Sequence, residues 1–240
     1  MKMVVVNSDG SVPEMCGNGI RCLIKFAKDI GVVGRGEMGR VLEIETGAGV
    51  LEGEILGESG GRAEVRVDMG EGVVGEVEGS LKVWGKEWTW TEVSTGNPHC
   101  VVFVDDDDVK GRDGNKMSLE EIDMRLEEIG RLFECNERFP NRTNTHFVRM
   151  KEDGKGMKVV VWERGAGRTM ACGTGACACA VASIATGRAK RNQDIEVELP
   201  GGVLTIRWKD DDRIFMSGPG EFVFEGELPI KVGAMAGSAV

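Results

Sequence analysis

Apolar and polar positions alternate along most of this chain with the period of a half-buried strand, and a few stretches break into helical spacing instead. Met3 to Val6 reads as a strand beginning almost at residue one, closed by a Ser8-Asp9-Gly10 turn. After Cys16, the residues Ile20, Leu23, Ile24, Ala27 and Ile30 recur at helical intervals, and Gly31 marks the stop. VLEIET, VLEGEIL and AEVRVDM then predict strands separated by glycine-bearing turns.

A second unit is expected to begin between Gly70 and Gly75. LKVWG and KEWTWTEV predict a hairpin and HCVVFV a buried strand; Trp84, Trp88 and Trp90 read as cover for one sheet face, since Trp88 and Trp90 alternate at strand period. Ser118 and Glu121 make a capping box ahead of Ile122, Leu126, Ile129 and Phe133, which predicts a helix. HFVRM and MKVVVWE follow as strands. From Thr174 to Thr186 the chain is rich in alanine and cysteine with almost no charge, so that helix should be buried on nearly all sides and capped by Gly187. IEVEL, VLTIRW and RIFMSG predict a meander with Asp210 to Asp212 at a hairpin tip, EFVFEGEL a return to the first unit, and the tail from Gly233 is expected to fray.

The pattern is duplicated. Val4-Val5-Val6-Asn7 leads through SDGSVPEM to Cys16-Gly17-Asn18-Gly19, and Val160-Val161-Trp162-Glu163 leads through RGAGRTMA to Cys172-Gly173-Thr174-Gly175. The interval from Asn7 to Cys16 equals that from Glu163 to Cys172, and a helical pattern follows each cysteine. Matched units that each present a thiol at a helix start suit a site that handles one carbon from opposite faces, which is the geometry of stereochemical inversion.

Composition narrows the setting. The chain has 240 residues, 41% hydrophobic and 29% charged, as in soluble globular proteins with one large or two small domains. A net charge of −10 argues against nucleic acid or an anionic membrane surface as partner. Neither a membrane-length apolar stretch nor a signal-peptide pattern is present. Seven cysteines are an odd number in a chain large enough to dispense with staples, so a reducing compartment is expected.

A thiol at a helix N-terminus feels partial positive charge, which favours thiolate and draws its pKa from about 8.5 toward neutrality. One thiolate and one thiol could remove and deliver a proton on opposite faces. Backbone N–H groups of Gly17, Asn18, Gly173 and Thr174 would hold a carboxylate and its enolate-like charge between them. Asn7 and Glu163, at equivalent strand ends, are expected to face the shared cleft. Gly96-Asn97-Pro98-His99 and Arg142-Thr143-Asn144-Thr145 are further loop candidates. Blander readings compete: a cysteine before a helix is ordinarily a small buried hydrophobe, and Cys22, Cys177 and Cys179 are read as packing residues. The aspartates at 105 to 108 read as a solvated loop rather than a cation site, and the cysteine spacings match no usual zinc knuckle. A thiol-redox or metal protein stays open as a separate class.

Several long segments then carry a family resemblance: NSDGSVPEMCGNGIRC, STGNPHCVVFVDD, ERFPNRTNTHFV, VWERGAGRTMACGTGAC and LPGGVLTIRW, in order from residue 1 to about 225, resemble the diaminopimelate epimerases. The resemblance implies an α/β (α+β) fold of two pseudo-symmetric domains, each a curled, mostly antiparallel sheet around a central helix. Residues 1–71 plus about 221–240 would form the N-terminal domain and 72–220 the C-terminal one, with the active site in the cleft between them. It implies cofactor-independent conversion of LL- to meso-diaminopimelate in lysine biosynthesis, with no cofactor and no metal. Cys16 and Cys172 would be the catalytic pair, supported by His99 and Glu163. Asn7, Gly17, Asn18, Asn97, Asn144, Glu163, Arg164, Gly173 and Thr174 would bind substrate. The partner would be the small-molecule substrate diaminopimelate, with neither nucleic acid nor membrane; a homodimer is allowed, and the address is cytoplasmic, or plastid stroma in a photosynthetic eukaryote. Relatives carry several dozen residues ahead of the strand expected at Met3, so an open sheet edge and uncovered core positions are expected in the first unit. An impaired paralogue or fragment that keeps ligand affinity, and a proline-racemase-like isomerase of the same fold, are the alternatives.

Overall fold

The computed structural model describes residues 1–6, 10, 12, 15–32, 39–104 and 117–227. Asn7, the 105–108 aspartates and the tail from Gly233 lie outside them. The elements in chain order are helix α1 (Gly17–Asp29), strands β1 (Leu42–Thr46), β2 (Gly49–Ser59), β3 (Arg62–Glu71), β4 (Val73–Val74), β5 (Gly79–Val83), β6 (Lys86–Ser94) and β7 (Pro98–Phe103). Helices α2 (Leu119–Met124) and α3 (Leu126–Glu134) follow, then β8 (Asn144–Met150), β9 (Gly156–Glu163), β10 (Gly167–Arg168), α4 (Gly173–Ala185), β11 (Ile195–Leu199), β12 (Gly202–Trp208) and β13 (Arg213–Glu221).

The result is a sheet-dominated α/β fold, open rather than closed into a barrel. Its strands follow the order β1-β2-β3-β13-β12-β11-β9-β8-β7-β6-β4, with β10 beside β9 and β5 beside β6. Pairing is antiparallel except at β7–β8 and β9–β11. β13 joins the two stretches of sheet, paired to β12 on one side and to β3 on the other.

One core lies between the sheet and the two long helices. Ile20 and Ile24 of α1, Ile55, Val65 and Val67 of the neighbouring strands, and the run Ala176 to Ala182 of α4 share it. The helices differ as their sequences require. α1 is amphipathic and buries Ile20, Ile24 and Ala27; α4 is apolar all round and has no exposed residue between Gly175 and Ser183.

A second core covers the opposite face of β6 to β9. There α2 and α3 lay Ile122, Leu126, Ile129 and Phe133 on Trp88, Trp90, Val102, Phe147, Val160 and Trp162. Strands covered on both faces can be apolar at consecutive positions, which explains the runs HCVVFV and KVVVW: Val101 and Val161 point into the first core, Val102 and Val160 into the second.

Several expectations need correction. Among the described residues Met3 to Val6 forms no strand: a Lys2–Glu45 bridge, the ion pair of the same two residues and the Met1 amino group on the Glu43 carbonyl tie this end to β1, and Val4 and Val6 are exposed. Among the described residues β1 is therefore the outermost strand, and Phe26, Ile30 and Val32 at the end of α1 are exposed as well. The helix after Ser118 has its capping box but divides at Arg125, where i→i+3 bonds (Arg125 N–H to Ile122, Glu128 N–H to Arg125) tighten the backbone between α2 and α3. Residues 222–227 form no strand, and Phe222, Val223 and Phe224 are exposed. Cys22 is exposed, because the apolar face of α1 passes through Ile20 and Ile24 rather than through it. Trp84 occupies the β5–β6 turn with positive φ, near Arg125, and still packs against the second core with the buried Trp88 and Trp90, as expected.

The second core makes a quantitative expectation. Phe133 is fully buried and meets Trp88 and Phe147 edge-on at centroid distances of 5.5 and 5.4 Å. Phe133→Ala is expected to lower the unfolding free energy by about 3–5 kcal/mol in denaturant titration. Phe26→Ala, at an exposed position of α1, should change it by no more than about 0.5 kcal/mol. Equal losses in the two variants would show that this second core is not packed as described.

Candidate active site

Both repeats fold into the same local device. Cys16 and Cys172 are extended, with φ/ψ of −141/107° and −130/109°, and each is the N-cap of a 13-residue helix. Each sulfur accepts the backbone N–H three residues on, Gly19 N–H at 3.4 Å and Gly175 N–H at 3.3 Å. A cysteine here does what serine or aspartate does in most helices, satisfying an orphan donor of the first turn while standing in its positive field.

The two helix starts converge. A β-carbon on Gly17 would lie 2.9 Å from Met216 Cε; one on Gly173 would lie 3.2 Å from Met216 Sδ and 3.7 Å from Asn18 Oδ1. Met216 of β13 thus sits beneath both N-termini, and Asn18 of one half reaches the first turn of the other. Arg21, buried, donates to Asn18 Oδ1 (3.1 Å), to the Pro219 carbonyl (3.3 Å) and to Met216 Sδ (3.7 Å). Burial pulls its guanidinium down from the usual range, opposed by the nearby Cys22, Glu64, Cys16 and Cys177.

Around Cys172 the polar groups form a connected set. The sulfur lies 3.5 Å from Thr174 Oγ1, which lies 3.5 Å from Asn97 Nδ2. Asn97 Oδ1 is 2.8 Å from His99 Nε2, and His99 Nδ1 is 2.8 Å from His146 Nε2. Thr95 Oγ1 adds longer contacts to Asn97 Oδ1 and to the Thr174 carbonyl. Glu163 accepts the Thr169 hydroxyl at 2.5 Å, and its carboxylate raises the Cys172 pKa.

The expectation that a helix start brings its thiol toward neutrality fails at Cys172. Burial, followed by the Glu163 carboxylate, pushes this thiol up to about 12, against the opposing Thr174 hydroxyl and Gly175 N–H. Desolvation of a cysteine only 5% exposed outweighs the dipole and two donors. Cys16 is only half-buried. Burial, then the neighbouring His146 and Arg164, holds His99 well below its ordinary value; burial alone takes His146 down to about 3. Both imidazoles are neutral across the physiological range.

Of the residues singled out from sequence, the structure brings together Gly17, Asn18, Gly173 and Thr174 at the two helix starts, and Asn97, His99 and Glu163 beside Cys172. Asn144 is 4% exposed and already employed: its Nδ2 donates to the Pro98 carbonyl (2.9 Å) and its Oδ1 accepts Arg164 N–H (3.0 Å). It fastens the start of β7 to the turn after β9. Arg164 is exposed, with Nη1 on the Asn141 carbonyl at 3.0 Å. Its turn depends on a residue that sequence reasoning passed over. Glu134, at the end of α3 and buried, accepts Gly165 N–H (3.0 Å), Arg142 (3.3 Å) and the Trp162 indole N–H (2.7 Å). Gly165 and Gly167 take φ of +78° and +75° there, which non-glycine residues rarely adopt. His146, Thr95 and Arg21 were likewise unassigned; the one signal for His146 was that the chain has only two histidines.

Two surface hollows, of about 320 and 290 Å³, lie away from the thiols, the first beside Arg66, Arg207 and Phe215 and the second beside Phe103, Thr186 and Arg188. Among the described residues no set of three or more His, Cys, Asp or Glu side chains could hold a metal ion. None of the helices there is long and apolar enough to cross a membrane.

The sequence profile described as Diaminopimelate epimerase matches residues 1–74 and 91–223. Diaminopimelate epimerase of Synechocystis sp. is 44% identical over 243 residues, covering 95% of this chain and 78% of that protein. The chloroplastic diaminopimelate epimerase of Oryza sativa subsp. japonica is 43% identical over 240 residues, covering 93% of this chain and 63% of that protein. Among solved structures, a probable proline racemase from Agrobacterium radiobacter superposes with a TM-score of 0.69 at 18% identity, over 98% of this chain and 73% of that one. A hydroxyproline epimerase from Agrobacterium vitis gives 0.68 at 19%, over 93% and 68%.

The shifted groups fix a pH window for stability. Below the ordinary histidine value of 6.5 the unfolded chain takes up protons that His99 and His146 refuse when folded, so stability falls as pH drops from there toward 3. Above the ordinary thiol value of 9.0 the unfolded cysteines ionise while buried Cys172 keeps its proton up to about 12, and Cys100, Cys177 and Cys179 are shifted the same way, so stability falls again. The thermal midpoint should be flat between about pH 6.5 and 9 and decline by several degrees on either side. A midpoint that climbs steadily through pH 10 would contradict the burial of these thiols.

Proposed function

The chain belongs to the diaminopimelate epimerase family, and from that premise we propose that it interconverts LL- and meso-diaminopimelate, a step toward lysine, with Cys16 and Cys172 acting on opposite faces of one α-carbon. The family makes it an isomerase of the epimerase type. The observation that carries the two-thiol reading is the pair of matched N-caps, each sulfur on the third N–H of its own helix, with the helix starts meeting over Met216.

Environment divides the labour. Cys172, dry and beside Glu163, rests as a thiol and serves as the acid; Cys16, half-buried, serves as the base in the direction that starts from its face. As the α-proton leaves, negative charge spreads onto the adjoining carboxylate, and the first-turn N–H groups of Gly17, Asn18, Gly173 and Thr174 stabilise it without reorganising. Delivery of the Cys172 proton to the other face completes inversion, and the sulfur it leaves anionic is received by the Thr174 hydroxyl and Gly175 N–H. In the reverse reaction the two roles exchange.

In this reading residues 1–71 with about 221–240 form one half-site and residues 72–220 the other. Arg164 keeps donors to spare beyond its bond to Asn141, which suits the distant carboxylate of the substrate. Asn97 supplies an amide group at the rim, Asn144 serves substrate binding by holding the turn that carries Arg164, and Asn7, outside the described residues, is assigned to the same rim by its place in the repeat.

Incubation with LL-diaminopimelate in heavy water, followed by loss of the α-proton signal and appearance of the meso isomer, tests the proposal. Cys16→Ala and Cys172→Ala should each reduce inversion by at least about 10³-fold, each removing one of the two proton-transfer groups. Full activity in either variant would overturn the paired-thiol assignment, and absence of turnover in the native chain would overturn the activity.

A further inference from the structure

Five side chains run in series from the buried sheet to Cys172, and the chemistry of their atoms gives the series a direction. The Cys172 sulfur receives Gly175 N–H, and since Thr174 Oγ1 accepts from Asn97, the Thr174 hydroxyl proton is free for the sulfur 3.5 Å away. Thr174 Oγ1, having given its proton, accepts Asn97 Nδ2 at 3.5 Å. The amide then turns its carbonyl oxygen to His99, which lies 2.8 Å away through Nε2, so that nitrogen carries the hydrogen. A neutral imidazole protonated at Nε2 accepts at Nδ1, and the atom 2.8 Å from His99 Nδ1 is His146 Nε2, which must be the donor. His146 Nδ1 is left with a lone pair and, among the described residues, no partner.

That unpaired nitrogen is where the series begins. His146 is fully buried, so a polar atom without a partner there carries a desolvation cost and calls for an account. Its ring is seated on the first turn of α4: a β-carbon on Gly175 would fall 2.2 Å from His146 Cε1. Glycine at this position is thus what admits the ring, and the ring in turn is held in one orientation. Position in the sheet agrees: Val101 pairs with His146 and His99 with Asn144, which puts His99 and His146 diagonally adjacent on one face of the parallel β7–β8 ladder.

We propose that His146 is a positioning residue: by donating to His99 it fixes the tautomer of that ring, and through Asn97 it keeps the Thr174 hydroxyl proton aimed at Cys172. The proposal rests on the reading of Cys172 as a proton-transfer group. Without the His146 donor, His99 is free to move its hydrogen to Nδ1, the Asn97 amide turns over to donate to Nε2, and Thr174 donates to the Asn97 carbonyl. The sulfur then keeps only Gly175 N–H to receive its charge.

Because the chain has only two histidines, ¹⁵N-histidine labelling gives two imidazoles and no ambiguity. Long-range ¹H–¹⁵N spectra of the native protein near neutral pH should show both rings neutral and hydrogenated at Nε2; hydrogen on Nδ1 of either ring overturns the proposal, whether or not the protein turns over substrate. In His146→Leu the His99 ring should shift toward the Nδ1–H form and kcat should fall about tenfold with KM little changed, the loss of one hydrogen bond to a charged group. His146→Gln, which restores a donor, should recover most of both. An unaltered His99 spectrum in the Leu variant, or equal losses with Leu and Gln, would reduce His146 to a packing residue and refute the assignment. Failure of epimerisation with the expected spectra would strike the functional reading and leave the chain of donors standing.

Discussion

The structure depends on a cysteine sulfur serving as the N-cap of a helix, twice. A cap must sit where the chain leaves an extended path and the first N–H groups point outward, so the capping atom is held at the centre of a positive field. Two such fields meeting at Met216 repel, and the arrangement favours negative charge between them. The sequence therefore builds a place where positive potential gathers. Buried Arg21, bonded to Asn18 beneath the same place, adds positive charge in a chain whose net charge is −10. Space beside each cap is tight: a β-carbon on Gly17 or Gly173 would press on the end of Met216, and one on Gly175 would collide with the His146 ring.

The duplication is close in backbone and loose in surroundings, and the looseness separates the two sulfurs. Aligned on the caps, Arg21 of α1 occupies the place of Cys177 in α4, and Asn18 that of Thr174. α1, with charges on one face, covers one side of a sheet, whereas α4, without charges, is enclosed. The same cap geometry thus leaves Cys16 half-buried and drives Cys172 upward in pKa by desolvation. Equal motifs thus stand in unequal surroundings, the one sulfur half-buried and the other enclosed.

Much of this was legible in the sequence because the relevant signals are local. Strands covered on one face alternate, the capping box at Ser118 specifies a helix start, and the absence of charge between Thr174 and Thr186 specifies a buried helix. The matched intervals to Cys16 and Cys172 gave the two caps. What was not legible depends on partners distant in sequence. Met3 to Val6 has strand composition, yet a strand exists only if a neighbour supplies a ladder, and among the described residues the ladder here stops at an isolated bridge to Glu45. Glu134 looks like one more acidic residue on a helix until the fold turns it inward to the Gly165 N–H and the Trp162 indole. Cys172 was misjudged because the dipole is a property of the helix, which sequence announces, while desolvation is a property of everything packed around it. His146 was overlooked because a lone histidine in an apolar strand is most often a core residue, and its meaning rests on the parallel register that sets it beside His99.

Coverage of the sheet explains where the polar network can exist at all. β7, β8 and β9 are packed on both faces, by α4 on one side and by α2 and α3 on the other. In that dry layer a hydrogen bond is electrostatically strong and an unmatched donor or acceptor is costly, so a series of neutral side chains has few arrangements open to it. Two imidazoles 2.8 Å apart cannot both be cationic there, and burial keeps both neutral. Neutrality matters as much as position: a charged ring would present hydrogens at both nitrogens, and the ordered sequence of donor to acceptor would end at the first link. The second core, on the other face of these strands, thus reaches the site by excluding the water and the protons that would scramble the direction of its hydrogen bonds.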